Sequence, residues 1–108
     1  MNNDDMGKQS NAFIARVDSD LEDLVPGYIQ GRHEDVESIL IALKSEDYET
    51  IRIMGHTMKG TGGGYGFDAI TDFGRSIEIA AKEKNRDMVI SFVSELKNYL
   101  DNVKIIYE

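Results

Sequence analysis

The chain has 108 residues, 41% apolar and 30% charged, with 20 acidic against 12 basic side chains and a formal charge of -8. Such a composition fits one domain with a modest core. It is too acidic to neutralise nucleic-acid phosphates broadly, and the absence of cysteine excludes disulfides, cysteine zinc sites and thiol chemistry.

The longest apolar run is Ile39 to Leu43. A bilayer span needs about 20 such residues and a signal core about 7–15, so a cytoplasmic globular domain without membrane attachment is expected. Acidity is uneven: residues 1–50 carry twelve acids and four bases, whereas residues 51–108 carry eight of each. The second half therefore repels an acidic partner less than the first.

Residues 1–11 are polar and unpatterned and are expected to be disordered. Residues 1–19 as a whole read as a flexible or loosely packed N-terminal segment, in which Phe13, Ile14 and Val17 lean on the core. Residues 20–108 read as the folded domain. Asp18 or Asp20 suits the start of a short helical turn at 20–25. From Leu21, apolar positions at Leu24, Val25, Tyr28, Val36, Ile39, Leu40 and Leu43 fall at three- and four-residue steps, with Pro26 in the first turn of a helix at about 26–44.

A second helix is expected after Asp47 as N-cap, with Tyr48, Ile51, Met54, Gly55 and Met58 on one face. A third spans about Asp68 to Lys84, where Asp68 and Asp72 serve the cap and the helix dipole. After a tight connection at Asn85 to Asp87 comes a fourth, carrying Val89, Phe92, Val93, Leu96, Tyr99, Leu100, Val103 and Ile106. No segment alternates with period two, so no sheet is expected. The fold class is all-α: an antiparallel four-helix bundle with a short N-terminal helical turn or segment. A bundle of this size is expected to stand as a monomer.

The stretch from Arg52 to Phe67 reads RIMGHTMKGTGGGYGF, and five of the seven residues from 60 to 66 are glycine. If Gly60, Gly62, Gly63 and Gly64 are helical, each costs about 1 kcal/mol relative to alanine. Close helix packing, a bound phosphate or a partner approaching the backbone would justify that cost.

At about 100° per residue, Ile51, Met54, Met58 and Tyr65 fall opposite His56, with Tyr48, Gly55 and Gly62 on their flank. His56 then faces water beside Arg52, Ile53, Lys59, Gly60 and Gly63. A neutral imidazole is a nucleophile near physiological pH. If it attacks a phosphoryl group, Lys59 supplies the cation that the product needs. Gly60 and Gly63 leave room for a protein that brings the donor, and exposed Ile53 offers it an apolar contact.

His56, Lys59, Gly60 and Gly66 match the signature of histidine-containing phosphotransfer (HPt) domains, and the chain resembles that family over about residues 20–106. The Asp47-Tyr48-Glu49 lead-in and the Ile77-Glu78 pair are similar as well, whereas glycine at 62–64 departs from the family's usual Ser, Ala or Asn. The resemblance implies that His56 is the phosphoacceptor, through Nε2, and that Lys59 stabilises the phosphoryl group.

Gly60 then gives clearance, with Arg52, Ile53 and Gly63 in partner docking and Gly66 a structural motif position. The partners implied are a response-regulator receiver domain, a hybrid sensor histidine kinase, or both. No cofactor is implied on this chain, because Mg²⁺ belongs to the receiver. The implied activity is that of a phosphocarrier rather than an enzyme with turnover of its own, in a phosphorelay of two-component signalling. The alternative is a docking or inhibitory module of the same fold that binds a receiver without phosphotransfer.

Other patterns carry less. His33 lies on a polar stretch and reads as a surface residue. Met54 and Met58 read as core. No phosphate-loop motif occurs, and Gly64-x-Gly66-x-x-Ala69 lacks the strand that a dinucleotide site needs. Two distant histidines make no metal site, and no nucleophile stands beside a base as a hydrolase requires.

Overall fold

Residues 13–108 are described by a computed structural model, and the disorder expected for residues 1–11 lies outside the described residues. Four helices follow the three- and four-residue apolar steps of the sequence. Helix α1 spans Val25–Lys44 with Pro26 in its first turn, and buries Val25, Tyr28, Val36, Ile39, Ala42 and Leu43. Helix α2 spans Tyr48–Thr61. Its N-cap Asp47 accepts hydrogen bonds from the Thr50 amide at 3.1 Å and the Thr50 hydroxyl at 2.6 Å, which satisfies donors that the first turn leaves free.

Helix α3 spans Asp68–Lys82. Helix α4 spans Arg86–Asn102, and its N-cap Asn85 accepts from the Met88 amide at 3.1 Å. Leu24 and Leu40, placed on the apolar stripe by their spacing, are exposed, while Ile39, Ile51, Met58, Phe67, Ile70, Ile77 and Leu96 are fully buried.

Two expectations are corrected at the chain's ends. Strand β1 (Ile14–Val17) pairs in parallel with strand β2 (Lys104–Tyr107), Ile14 opposite Lys104 and Val17 opposite Tyr107, so a small sheet exists. The last helix stops at Asn102, and Val103 turns extended with φ -68° and ψ 133°. Val103 and Ile106 therefore leave the helix to which their spacing assigned them.

Strands of four residues are too short for alternation to register, and the partner of each lies at the other end of the sequence. Pairing buries Ala15 and Val17, and Phe13 packs edge-on against Tyr99 at 5.4 Å between centroids. Residues 14–17 are thus packed within the segment read as loose. The helical turn expected at 20–25 is a 3-10 turn at Ser19–Leu21, where Asp18 accepts from the Asp20 amide at 2.8 Å.

The feature that positions the site is the contact between α2 and α3. Gly55 of α2 faces Gly74 of α3, backbone against backbone. A Cβ at Gly55 would lie 2.7 Å from the Glu78 amide nitrogen and 2.9 Å from the Gly74 carbonyl, and one at Gly74 would run into the Lys59 amide and the Gly55 carbonyl. Neither neighbour is a side chain that can swing away. Gly74→Ala is expected to destabilise the fold by about 1–3 kcal/mol through this overpacking. Gly60→Ala, where a Cβ meets nothing within 4 Å, is expected to raise stability by up to about 1 kcal/mol. Chemical denaturation compares the two, and matching midpoints would refute the close-approach account.

Candidate functional site

His56 lies on the outer face of α2, its side chain 64% exposed. The wheel argument holds where the helix holds: Ile51 and Met58 are buried on the opposite side, and Gly55 on the flank that meets α3. What the spacing does not show is what holds the ring. Glu78, on α3, sends its carboxylate between the two helices with its side chain only 7% exposed. Its Oε2 lies 3.0 Å from His56 Nδ1 and its Oε1 lies 2.7 Å from Lys59 Nζ.

The Lys59 hydrogen bond, followed by the His56 hydrogen bond and both charges, holds the Glu78 carboxyl below the ordinary glutamate range against the opposing effect of burial. Glu78 is therefore ionised near neutral pH and can only accept. Nδ1 must then carry the proton, so in a neutral ring the lone pair is on Nε2, which has no hydrogen-bond partner among the described residues. Lys59 has three ammonium hydrogens, so donation to Glu78 leaves two for another acceptor.

The remaining expected site residues fall into two groups. Ile53, one turn before the histidine, is 50% exposed, and Gly60, one turn after it, is exposed with open space where a Cβ would stand. Arg52 is held by Glu49 through two hydrogen bonds, Nε at 2.9 Å and a terminal nitrogen at 2.6 Å, so its charge is neutralised within its own helix.

Gly63 and Gly66 lie beyond the end of α2 at Thr61, in a 3-10 turn spanning Gly63–Tyr65 and its left-handed cap. The helical angle assigned to Gly63 and Tyr65 therefore does not apply, and Gly62, Gly63 and Gly64 are not interior helix glycines. The Gly63 amide donates to the Thr71 hydroxyl at 2.8 Å. Gly66 has φ 91°, and a Cβ there would lie 3.1 Å from the Arg16 carbonyl. This left-handed turn reverses the chain from α2 into α3 against strand β1.

The functional residue that sequence spacing passes over is Glu78. Its signal is legible in hindsight: it sits on the apolar stripe formed by Ile70, Gly74, Ile77 and Ala81, and a carboxylate on a buried face requires a partner. Among the described residues no group of three or more His, Cys, Asp or Glu side chains is gathered to hold a metal. Among the described residues no helix is long and apolar enough to cross a membrane.

A family model described as the Hpt domain matches residues 12–105. No curated protein and no solved structure gives a significant match. The matched stretch takes in all four helices and both ends of the His56–Glu78 contact, and the chain accordingly belongs to the Hpt domain family, the helical phosphocarriers of phosphorelay signalling.

Proposed function

We propose that His56 accepts a phosphoryl group from the aspartyl phosphate of a receiver domain and passes it to the aspartate of another. The Nε2 lone pair attacks phosphorus, the bond from phosphorus to the aspartyl oxygen breaks, and the aspartate leaves as its carboxylate. The product ring holds phosphorus on Nε2 and the proton on Nδ1, and is cationic. Glu78, 3.0 Å from Nδ1, stabilises that cation, and the two free hydrogens of Lys59 face the incoming phosphoryl oxygens. The return step runs the same bonds in reverse toward a second carboxylate.

The observation that carries this reading is the pairing of an exposed imidazole with a buried carboxylate, which fixes the tautomer and leaves the lone pair of the neutral ring on Nε2. Donor and acceptor are receivers of response regulators or of hybrid sensor histidine kinases, and the Mg²⁺ such receivers hold is theirs. This chain carries the group without turnover of its own, in the cytoplasm. Ile53 and Gly60 flank the ring as apolar contact and clearance for the visiting receiver.

Incubation with a receiver, Mg²⁺ and a phosphodonor is expected to give an acid-labile, base-stable phosphoryl adduct that is lost in His56→Gln. Label persisting in that variant would overturn the assignment. Receiver binding with no adduct on the wild type would point instead to a docking module.

Lys59→Ala is expected to slow transfer or shorten the lifetime of the phosphohistidine while leaving the fold intact. Gly60→Leu is expected to weaken receiver binding. Unaltered kinetics in the first, or unaltered affinity in the second, would reduce those residues to surface positions.

Glu78→Gln removes the charge and the fixed acceptor but keeps the shape. Transfer is expected to slow by about tenfold, the effect of about 1.5 kcal/mol from one charge-assisted hydrogen bond. The same variant tests a pH dependence. A carboxyl held below its ordinary value of 4.5 contributes stability that is complete above that value and is lost as pH falls through the lower folded value. Wild-type stability should decline over that acid interval more steeply than that of Glu78→Gln. Equal slopes would show that the cluster does not contribute.

A further inference from the structure

The run Ile39 to Leu43 places five apolar residues in a row on α1, more than one face of a helix can bury. Ile39, Ala42 and Leu43 take the core, and Leu40 and Ile41 are left outside, Ile41 at 65% exposure. With exposed Ile90 of α4 they border a groove of about 430 Å³, whose other walls are Glu37, Leu43, Lys44 and Arg86. Single exposed apolar residues need no explanation, but three around one concavity form a patch.

The charges beside the patch indicate what covers it. Glu37, Leu40, Ile41 and Lys44 share one face of α1, since steps of three, four and seven residues return to the same side of a helix. Glu37 stands three residues before Leu40 and Lys44 three after Ile41. Both charges are exposed, and neither forms an ion pair among the described residues. An acid, two apolar residues and a base in that order form a pattern that complements itself when the helix is reversed.

We propose that this face of α1 binds a second copy of the same chain, antiparallel, about a two-fold axis between Leu40 and Ile41. Each Leu40 then meets the partner's Ile41, and each Glu37 meets the partner's Lys44, so every contact occurs twice. Arg86 is anchored at the groove's edge by its 2.9 Å hydrogen bond to the Leu43 carbonyl and adds positive charge beside Lys44. The groove shares no residue with the site around His56, so pairing through it uses none of that site's residues. The patch is small, which makes the association weak and dependent on concentration.

Sedimentation equilibrium of the full chain across a wide concentration range is expected to show the mass rising from 12.1 kDa toward twice that value. Ile41→Glu, at an exposed position that folding does not use, should weaken association by about tenfold or more. Glu37→Lys alone and Lys44→Glu alone set like charges against each other and should both weaken it. The double swap restores opposite charges at both contacts and should recover association. A mass that stays at the monomer value throughout would overturn the proposal. Association that the single swaps leave unchanged, or that the double swap fails to recover, would overturn the antiparallel register. Phosphotransfer to His56 in Ile41→Glu should match the wild type at equal chain concentration, so the outcome is independent of the reading of the histidine.

Discussion

Everything at the site depends on how closely α3 approaches α2. Two glycines, Gly55 and Gly74, make the contact, and a Cβ on either would strike backbone atoms of the opposite helix. Glu78 is one turn along α3 from Gly74, and only at this separation does its short side chain span from one helix to a ring on the outer surface of the other. Packing and chemistry are therefore one constraint: a methyl group at the crossing separates the helices and withdraws the carboxylate from both of its partners.

In the transfer we propose, the two partners of that carboxylate answer two charge problems. Attack by Nε2 would leave a positive ring, and delivery of a phosphoryl group would bring negative oxygens. Glu78 faces the first through Nδ1 at 3.0 Å and holds in place, at 2.7 Å, the ammonium that answers the second. Burial makes both contacts stronger than they would be in water, and the Lys59 contact keeps the carboxyl ionised despite that burial. A carboxylate exposed on the same face would be screened by solvent and would repel the phosphoryl group.

How far the sequence reveals this follows from the range over which each signal acts. The helices were legible because their apolar steps and caps are local: Asp47 and Asn85 cap α2 and α4 as their types and positions imply. The outward direction of His56 was legible for the same reason. The parallel pairing of β1 with β2 was not, because neither strand is long enough to show a pattern and each needs the other's register. Glu78 was hidden by the same limit. Its role depends on the distance between two helices, which the pattern along either helix does not encode, although a charged residue on the stripe of Ile70, Gly74 and Ile77 marks the place to look. The glycine cluster misled in one respect, since α2 ends at Thr61 and Gly63 lies in a turn that hands the chain to α3.

The charge count along the sequence also changes meaning once side chains are placed. Arg52 and Lys59 look equivalent as cations flanking His56, yet Arg52 is clamped by Glu49 within its own helix, and Lys59 is directed at the buried carboxylate. The net cationic character beside His56 is therefore small, and long-range attraction would contribute little to recognition of the acidic receiver proposed as its partner. Shape has to supply the rest. An exposed isoleucine stands one turn before the ring and a position without a side chain one turn after it, so a protein docking as proposed would meet an apolar contact on one side of the ring and open space on the other. On the proposed function, specificity among receivers would then lie in how well each partner's loops fit that step in the surface, and only weakly in the sign of their charge.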